Sequence, residues 1–259
     1  MRETRLPGYL LNNSMKCVRS FYIIKPMDIR KDNRIFFCPI KSPEEWRQLL
    51  AKPDKHWRTG YSAKALAYCW QEAGDFPQSV RKVFKDSGVK LFRDVKLLLA
   101  FPEYKVPLPG GRRASQSDIF VLAKGSGQLI SIMVEGKVHE PFGDTVAEWR
   151  AEGGRGKERR LDYLCQLLKL DKDKVNNIRY QLLHRTASAV IEAGRFNAPN
   201  ALTLVHSFSE TNEWFDDYSQ FLALFGAKGE PDSLSFARNL DGVNLYFAWV
   251  KGEGKYLEK

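Results

Sequence analysis

Apolar and polar positions along the chain fall into a small number of legible periods. Two runs rich in β-branched and large apolar residues, 117–124 and 129–137, flank a glycine-containing segment, 125–128, and predict a β-hairpin. Pairing Lys124 with Leu129 across that four-residue loop sets Leu122 opposite Ser131, Phe120 opposite Met133 and Asp118 opposite Glu135. Side chains alternate along a strand, so Leu129, Ser131, Met133, Glu135 and Lys137 share one side, and Ile130, Ile132, Val134 and Val138 the other. One face is expected to carry chemistry and the other core.

The same periods place the remaining elements. Strands are predicted at 34–40, 95–107, 201–208 and 243–250, with Leu97, Leu98, Leu99 and Ala100 suited to burial on both faces. Ser42, Pro43 and Glu45 open a helix to about residue 50 with a capping box. A second helix, Ser62 to Ala73, is stopped by Gly74 and carries an apolar stripe of Ala65, Leu66, Cys69, Trp70 and Ala73. Helices follow at 161–170, 177–193 and 214–225. On the helix 177–193, Ile178, Leu182, Ala189 and Ala193 form one stripe; Asn177, Gln181, His184 and Ser188 form another, with Arg185 at its margin. These elements predict an α/β fold with a central mixed sheet flanked by helices.

Composition narrows the class. The 259 residues, 43% hydrophobic, fit a single domain, with residues 1–40 as an N-terminal extension. Residues 1–33 show no clear period, and Met15 and Met27 leave a later start open. No apolar run has the length of a membrane span or a signal peptide, so a cytoplasmic location is expected. Four isolated cysteines and four histidines give no basis for structural zinc or a disulfide framework. A P-loop and a G-x-S-x-G elbow are both absent, which removes the anchors for an ATPase or a serine hydrolase. The net charge of +10 is uneven: residues 78–113 hold nine Lys and Arg against three Asp and Glu, 150–185 ten against five, and 209–241 two against seven. Basic segments thus flank the hairpin, as a protein tracking a phosphate backbone requires.

Two carboxylates opposite one another on a strand pair, with Cβ atoms roughly 5 Å apart, repel. A divalent cation offsets that repulsion, since Mg²⁺ takes one or two carboxylates together with waters and phosphate oxygens. On this ground alone, Glu135→Ala is expected to leave the metal-free protein as stable as wild type or more so. Lys137, on the same face, is placed to orient water or to neutralise charge developing on a phosphoryl group.

Asp118 followed by Glu135-Gly136-Lys137 on the next strand resembles the signature of the PD-(D/E)xK phosphodiesterase superfamily of restriction-endonuclease-like nucleases. Ser117 stands where that family often has proline. The resemblance covers a core of about residues 60–208, leaving 209–259 as an added helix and strand. It implies a Mg²⁺-dependent (or Mn²⁺-dependent) nuclease, with restriction or phage defence as its setting. Asp118 and Glu135 would be metal ligands, Lys137 would be catalytic, and Glu72 on the preceding helix would be an auxiliary metal ligand. Gln181 and Arg185 on the following helix, Arg112 and Arg113 in a turn before Asp118, and Arg155 in the Gly-rich basic segment 152–160 are the candidate substrate contacts. Glu140 borders the same site, with a surface role expected for it. DNA is favoured over RNA, without a membrane partner, and a homodimer is left open. The competing readings are a nucleic-acid-binding module that keeps the fold without cleavage, and an RNA nuclease.

Overall fold

A computed structural model describes residues 36–37 and 40–259. The N-terminal segment with its internal methionines lies outside the described residues, and residues 34–259 gather into one unit. The strands are β1 (Phe36–Phe37), β2 (Lys96–Val106), β3 (Ser115–Gly125), β4 (Gln128–Lys137), β5 (Asn200–Ser207), β6 (Ser233–Leu240) and β7 (Val243–Lys251). They form one sheet in the order β1-β2-β3-β4-β5-β7-β6. Pairing is parallel at β1-β2, β4-β5 and β5-β7, and antiparallel elsewhere, so the sheet is mixed. The helices are α1 (Pro53–His56), α2 (Ser62–Ala73), α3 (Gln78–Asp86), α4 (Lys90–Arg93), α5 (Val146–Ala151), α6 (Arg155–Leu168), α7 (Tyr180–Arg195) and α8 (Phe215–Ala223). Among the described residues no helix is long and apolar enough to cross a membrane.

The hairpin register is the expected one: Lys124 pairs with Leu129, Leu122 with Ser131 and Phe120 with Met133. The loop is tighter than expected, because Gly125 also pairs with Gln128 and only Ser126 and Gly127 turn the chain. Both have positive φ, 46° and 82°, the signature of a two-residue turn whose twist matches the strands it joins.

Neither face of the hairpin is left to solvent, contrary to the division into a chemical face and a core face. Ile130, Ile132 and Val134 pack with α2, α3 and α4 in one core, while Phe120 and Met133 pack with α6, α7 and α8 in another. The reason is topological. The crossover from β4 to parallel β5 carries α5, α6 and α7, and laying them back on the sheet covers the side that an isolated hairpin would expose.

Other departures are local. The segment 43–49 is a 3₁₀ helix, and Ser42 makes no side-chain cap; Glu45 accepts instead from the Lys41 N–H at 3.0 Å. A capping box does form at Thr145 and Glu148, where it opens α5. Leu98 sits at a register shift between β2 and β3 and is exposed, so the apolar run 97–100 is not buried throughout. The segment 152–160 is helical from Arg155 onward, and Gly110 and Gly156 make a backbone contact that no side chain could enter. The helix expected over 177–193 begins at Tyr180.

On the α2 face, His206 of β5 is buried and accepts from Trp70 Nε1 through Nδ1 at 3.0 Å. That bond leaves the proton on Nε2, which donates to Ser79 Oγ at 3.2 Å and ties α2 and α3 to the sheet. Burial pushes the imidazole pKa down to about 3, so the ring is neutral.

A Cβ built at Gly125 would stand 1.9 Å from the Leu91 carbonyl oxygen, which puts α4 directly against the hairpin end. Gly125→Ala is expected to destabilise the protein by about 3 kcal/mol through that overlap. Urea denaturation measures it, and a loss below ~0.5 kcal/mol would mean that α4 moves aside freely.

Candidate active site

β4 is the central strand of the sheet, paired on both sides, and its C-terminal end carries Glu135 and Lys137. β3 delivers Asp118 beside them, at the step where the β3-β4 ladder has just ended at Ile119 and Val134. The residue between Glu135 and Lys137 is glycine for a steric reason. Leu66 of α2 approaches to 3.2 Å and Asp118 Oδ2 to 3.4 Å of where a Cβ would be, while the Gly136 N–H donates to that same oxygen at 2.7 Å.

These residues share a cleft of about 360 Å³ whose lining includes Glu103, Asp118, Glu135, Lys137, Gln181 and Arg185, with His56 and Glu140 also contributing. Glu135 is saturated with donors. Its Oε1 accepts from Lys137 Nζ at 2.9 Å and Gln181 Nε2 at 2.6 Å, and its Oε2 accepts from Arg185 Nε at 2.7 Å. Arg185 Nη1 also reaches Ser115 Oγ at 3.2 Å, and the Lys137 ammonium lies 4.8 Å from the Phe142 ring centroid.

Three carboxyls in one cleft are held in different states. Glu135 loses hydration, which raises its pKa, but Arg185 and Lys137 together outweigh that and hold it below the usual carboxylate range. Asp118 opens to solvent through the cleft mouth yet is surrounded by protein. Desolvation, with the charges of Glu135 and Glu103, drives it well above the usual range. Glu103, on β2 and bonded to Gln116 Nε2 at 2.5 Å, is raised to about 7 by desolvation, with the Glu135 charge adding to the rise. Beside them His184 is kept neutral, first by desolvation and then by Arg185 and Arg160.

The structure therefore brings Asp118, Glu135, Lys137, Gln181 and Arg185 together, but the last two grip the acid and not an open path to substrate. Glu72 is not part of the cleft lining: α2 meets the cleft through Ser62 and Ala63 at its N-terminus, whereas Glu72 lies near the C-terminal end of the helix, 3.4 Å from Lys259 Nζ. Glu140 accepts from the Ser62 N–H and hydroxyl, both at 3.0 Å, and fastens the α2 N-terminus to the end of β4. Arg112, Arg113 and Arg155 are exposed and also outside the cleft lining. Arg160 Nε donates to the Pro109 carbonyl at 2.8 Å, which holds the loop that carries Arg112 and Arg113 on α6, the helix that Arg155 opens. Glu103, Gln116 and Ser115 escaped the sequence reading. Glu103 adopts φ 53°, and nothing short of that backbone turn marks it in the sequence as facing Asp118.

Two predictions follow from this charge arrangement. Glu135→Ala leaves Lys137 and Arg185 buried without a counter-charge, so the metal-free variant should lose about 3–5 kcal/mol. This reverses the expectation from carboxylate repulsion alone, and chemical denaturation decides between them; a variant as stable as wild type would restore the repulsion account.

The second concerns pH. A carboxyl whose folded pKa exceeds its unfolded value contributes stability that is present at low pH and lost as pH rises through the folded pKa. For Glu103 that window runs from about 4.5 to about 7, and for Asp118 it extends in the same direction. The buried neutral His184 and His206 act in the opposite sense, so the carboxyl contribution is read as a difference: relative to Glu103→Gln, the metal-free wild type should lose stability between ~pH 5 and ~pH 8. A difference that stays constant or changes in favour of wild type between those two pH values would contradict it.

A family model described as Domain of unknown function (DUF6946) matches residues 39–254. Comparison with curated proteins and with solved structures finds no match.

Proposed function

The chain belongs to the DUF6946 family, and from the cleft described above we propose that it is a Mg²⁺-dependent nuclease that hydrolyses phosphodiester bonds, with DNA as the substrate. One observation carries this reading: Asp118, Glu135 and Lys137 meet in a single cleft at the end of the central strand, with Arg185 and Gln181 from α7 beside them. Among the described residues no group of three or more His, Cys, Asp or Glu is arranged to hold a metal. The donor set still suits Mg²⁺, which takes one or two carboxylates from a protein and completes its shell with waters and phosphate oxygens. Desolvation and then the charges of Glu135 and Glu103 raise the pKa of Asp118, and a divalent cation in the cleft would offset both.

Asp118 and Glu135 are the residues that would hold Mg²⁺ or Mn²⁺, which would supply Lewis acidity at a phosphoryl oxygen and an activated water. The chain provides the rest. To hold a cation Glu135 would give up Arg185 Nε or Lys137 Nζ, which would free a guanidinium or an ammonium inside a desolvated cleft. Arg185 then offers its fork to the phosphate oxygens, and Lys137, supported by Phe142, neutralises the charge that grows in the transition state. Gln181 donates to Glu135 Oε1, the oxygen that Lys137 also reaches, and fixes its orientation. Glu103, titrating near pH 7, can accept a proton from water at its carboxylate. The exposed arginines at 112, 113 and 155 supply a backbone-tracking patch outside the cleft. The saturation of Glu135 by three donors is also what supports the second reading, a binding module that does not cleave.

The test incubates the protein with plasmid, single-stranded DNA and RNA. Cleavage should need Mg²⁺ or Mn²⁺, stop in chelator, and be replaced by binding alone in Ca²⁺. Lys137→Ala should lower turnover by about 100-fold or more while DNA affinity in Ca²⁺ changes less than ~3-fold. Binding without cleavage by wild type would favour the binding module; cleavage of RNA alone would change the substrate class.

A further inference from the structure

A second opening adjoins the acidic cleft. It measures about 280 Å³, near the lower end of small-ligand pockets (~300 Å³ upward), and Pro141 and Gln181 line both openings. Its other walls come from Phe142, Gly143, Asp144, Trp149, Tyr180 and His184. Gln181 is thus the partition: its amide nitrogen holds Glu135 on one side, and its carbonyl oxygen has no partner among the described residues.

The chemistry of this opening differs from that of the cleft. Trp149 of α5 and Tyr180 of α7 stack face to face, with ring centroids 3.9 Å apart and planes 8° from parallel. His184 presents one donor. Its Nδ1 lies 2.8 Å from Ser115 Oγ and 3.3 Å from Arg185 Nη1; arginine can only donate, so Nδ1 is the acceptor and Nε2 carries the proton. That Nε2–H has no partner among the described residues, and the depressed pKa keeps the ring in this neutral form. Asp144 supplies the complement. Its carbonyl is engaged by the Tyr180 N–H at 3.0 Å, which fixes the residue against α7, while its carboxylate is exposed and unpaired among the described residues.

We propose that this opening is a nucleobase subsite: it takes one unstacked base, bearing an exocyclic amino group, from the nucleotide next to the bond that is cut. The rigid aromatic pair, with Lys157 Nζ 5.4 Å from the Trp149 centroid and His184 against Tyr180, forms the apolar wall, Asp144 accepts from the amino group, and His184 Nε2–H donates to a ring nitrogen or carbonyl. The volume suits a single planar ring system. Because the subsite opens beside Gln181, the sugar-phosphate of that nucleotide falls toward Glu135. This inference rests on the nuclease reading and adds to it a preference among bases.

The test uses single-stranded DNA oligonucleotides in which one base at a time is removed around the cleavage position. Affinity is read in Ca²⁺ and cleavage in Mg²⁺. For wild type, one abasic position adjacent to the cut should weaken binding about 10-fold, and a thymine placed there should also bind more weakly than adenine, cytosine or guanine. In Asp144→Asn the discrimination against thymine should fall, and in Trp149→Ala the abasic penalty should disappear. Trp149 packs partly into the fold, so the exposed Asp144 keeps the test decisive if Trp149→Ala does not fold. Mg²⁺-dependent cleavage with no position-specific penalty, or a penalty unchanged in both variants, overturns the subsite and leaves the nuclease reading intact. Neither binding in Ca²⁺ nor cleavage in Mg²⁺ overturns both.

Discussion

One desolvated carboxylate organises this molecule. Glu135 lies at the end of the central strand, 4% exposed, and an acid there can remain ionised only if positive groups are brought to it. Lys137 comes from the same strand, but Arg185 and Gln181 come from α7, about fifty residues on. Meeting that requirement makes α7 cross the sheet with its polar residues turned inward. Ser131 Oγ donates to the Ala189 carbonyl and Thr203 bonds Thr186 along the same seam. Glycine at 136 completes the arrangement, since it lets α2 close over the strand from the opposite side.

Charge is then divided within a few ångströms. Glu135 has arginine and lysine and stays ionised; Asp118, on the neighbouring strand, has two acids for neighbours and holds its proton; Glu103 stands between the two conditions. Environments that push like groups apart in pKa are the usual basis for assigning acid and base roles in one site. The neutral His184 and the exposed Asp144 extend this division into the adjoining aromatic opening.

Much of this was legible where one physical pattern dominated. The hairpin register could be read because the short glycine-containing loop fixes Lys124 opposite Leu129, and every later pair follows from that one. What α7's polar stripe faces could not be read, because that depends on a crossover: Gln181 and Arg185 were expected to reach substrate, and their partner is Glu135. β6 was missed since its run, broken by Arg238 and Asn239, is an edge strand in which only Leu234 and Leu240 are buried. The box at Thr145 and Glu148 obeys the same rule as the one sought at Ser42 and Glu45. Only the backbone decided which of them closed. Glu103 reaches the cleft through a positive φ that the sequence does not advertise.

The wide separation between the two halves of the cleft also sets an order of assembly. β3 and β4 are joined by two residues and can pair within microseconds, whereas β4 meets β5 and α7 only after a long crossover has closed. Between those events the acids of the hairpin stand together without the arginine that later neutralises them, and their repulsion weakens the strand pair at its open end. Docking of α7 removes that repulsion. Completion of the cleft is thus coupled to closure of that crossover, so a chain in which α7 has not docked has the two acids but lacks Arg185 and Gln181.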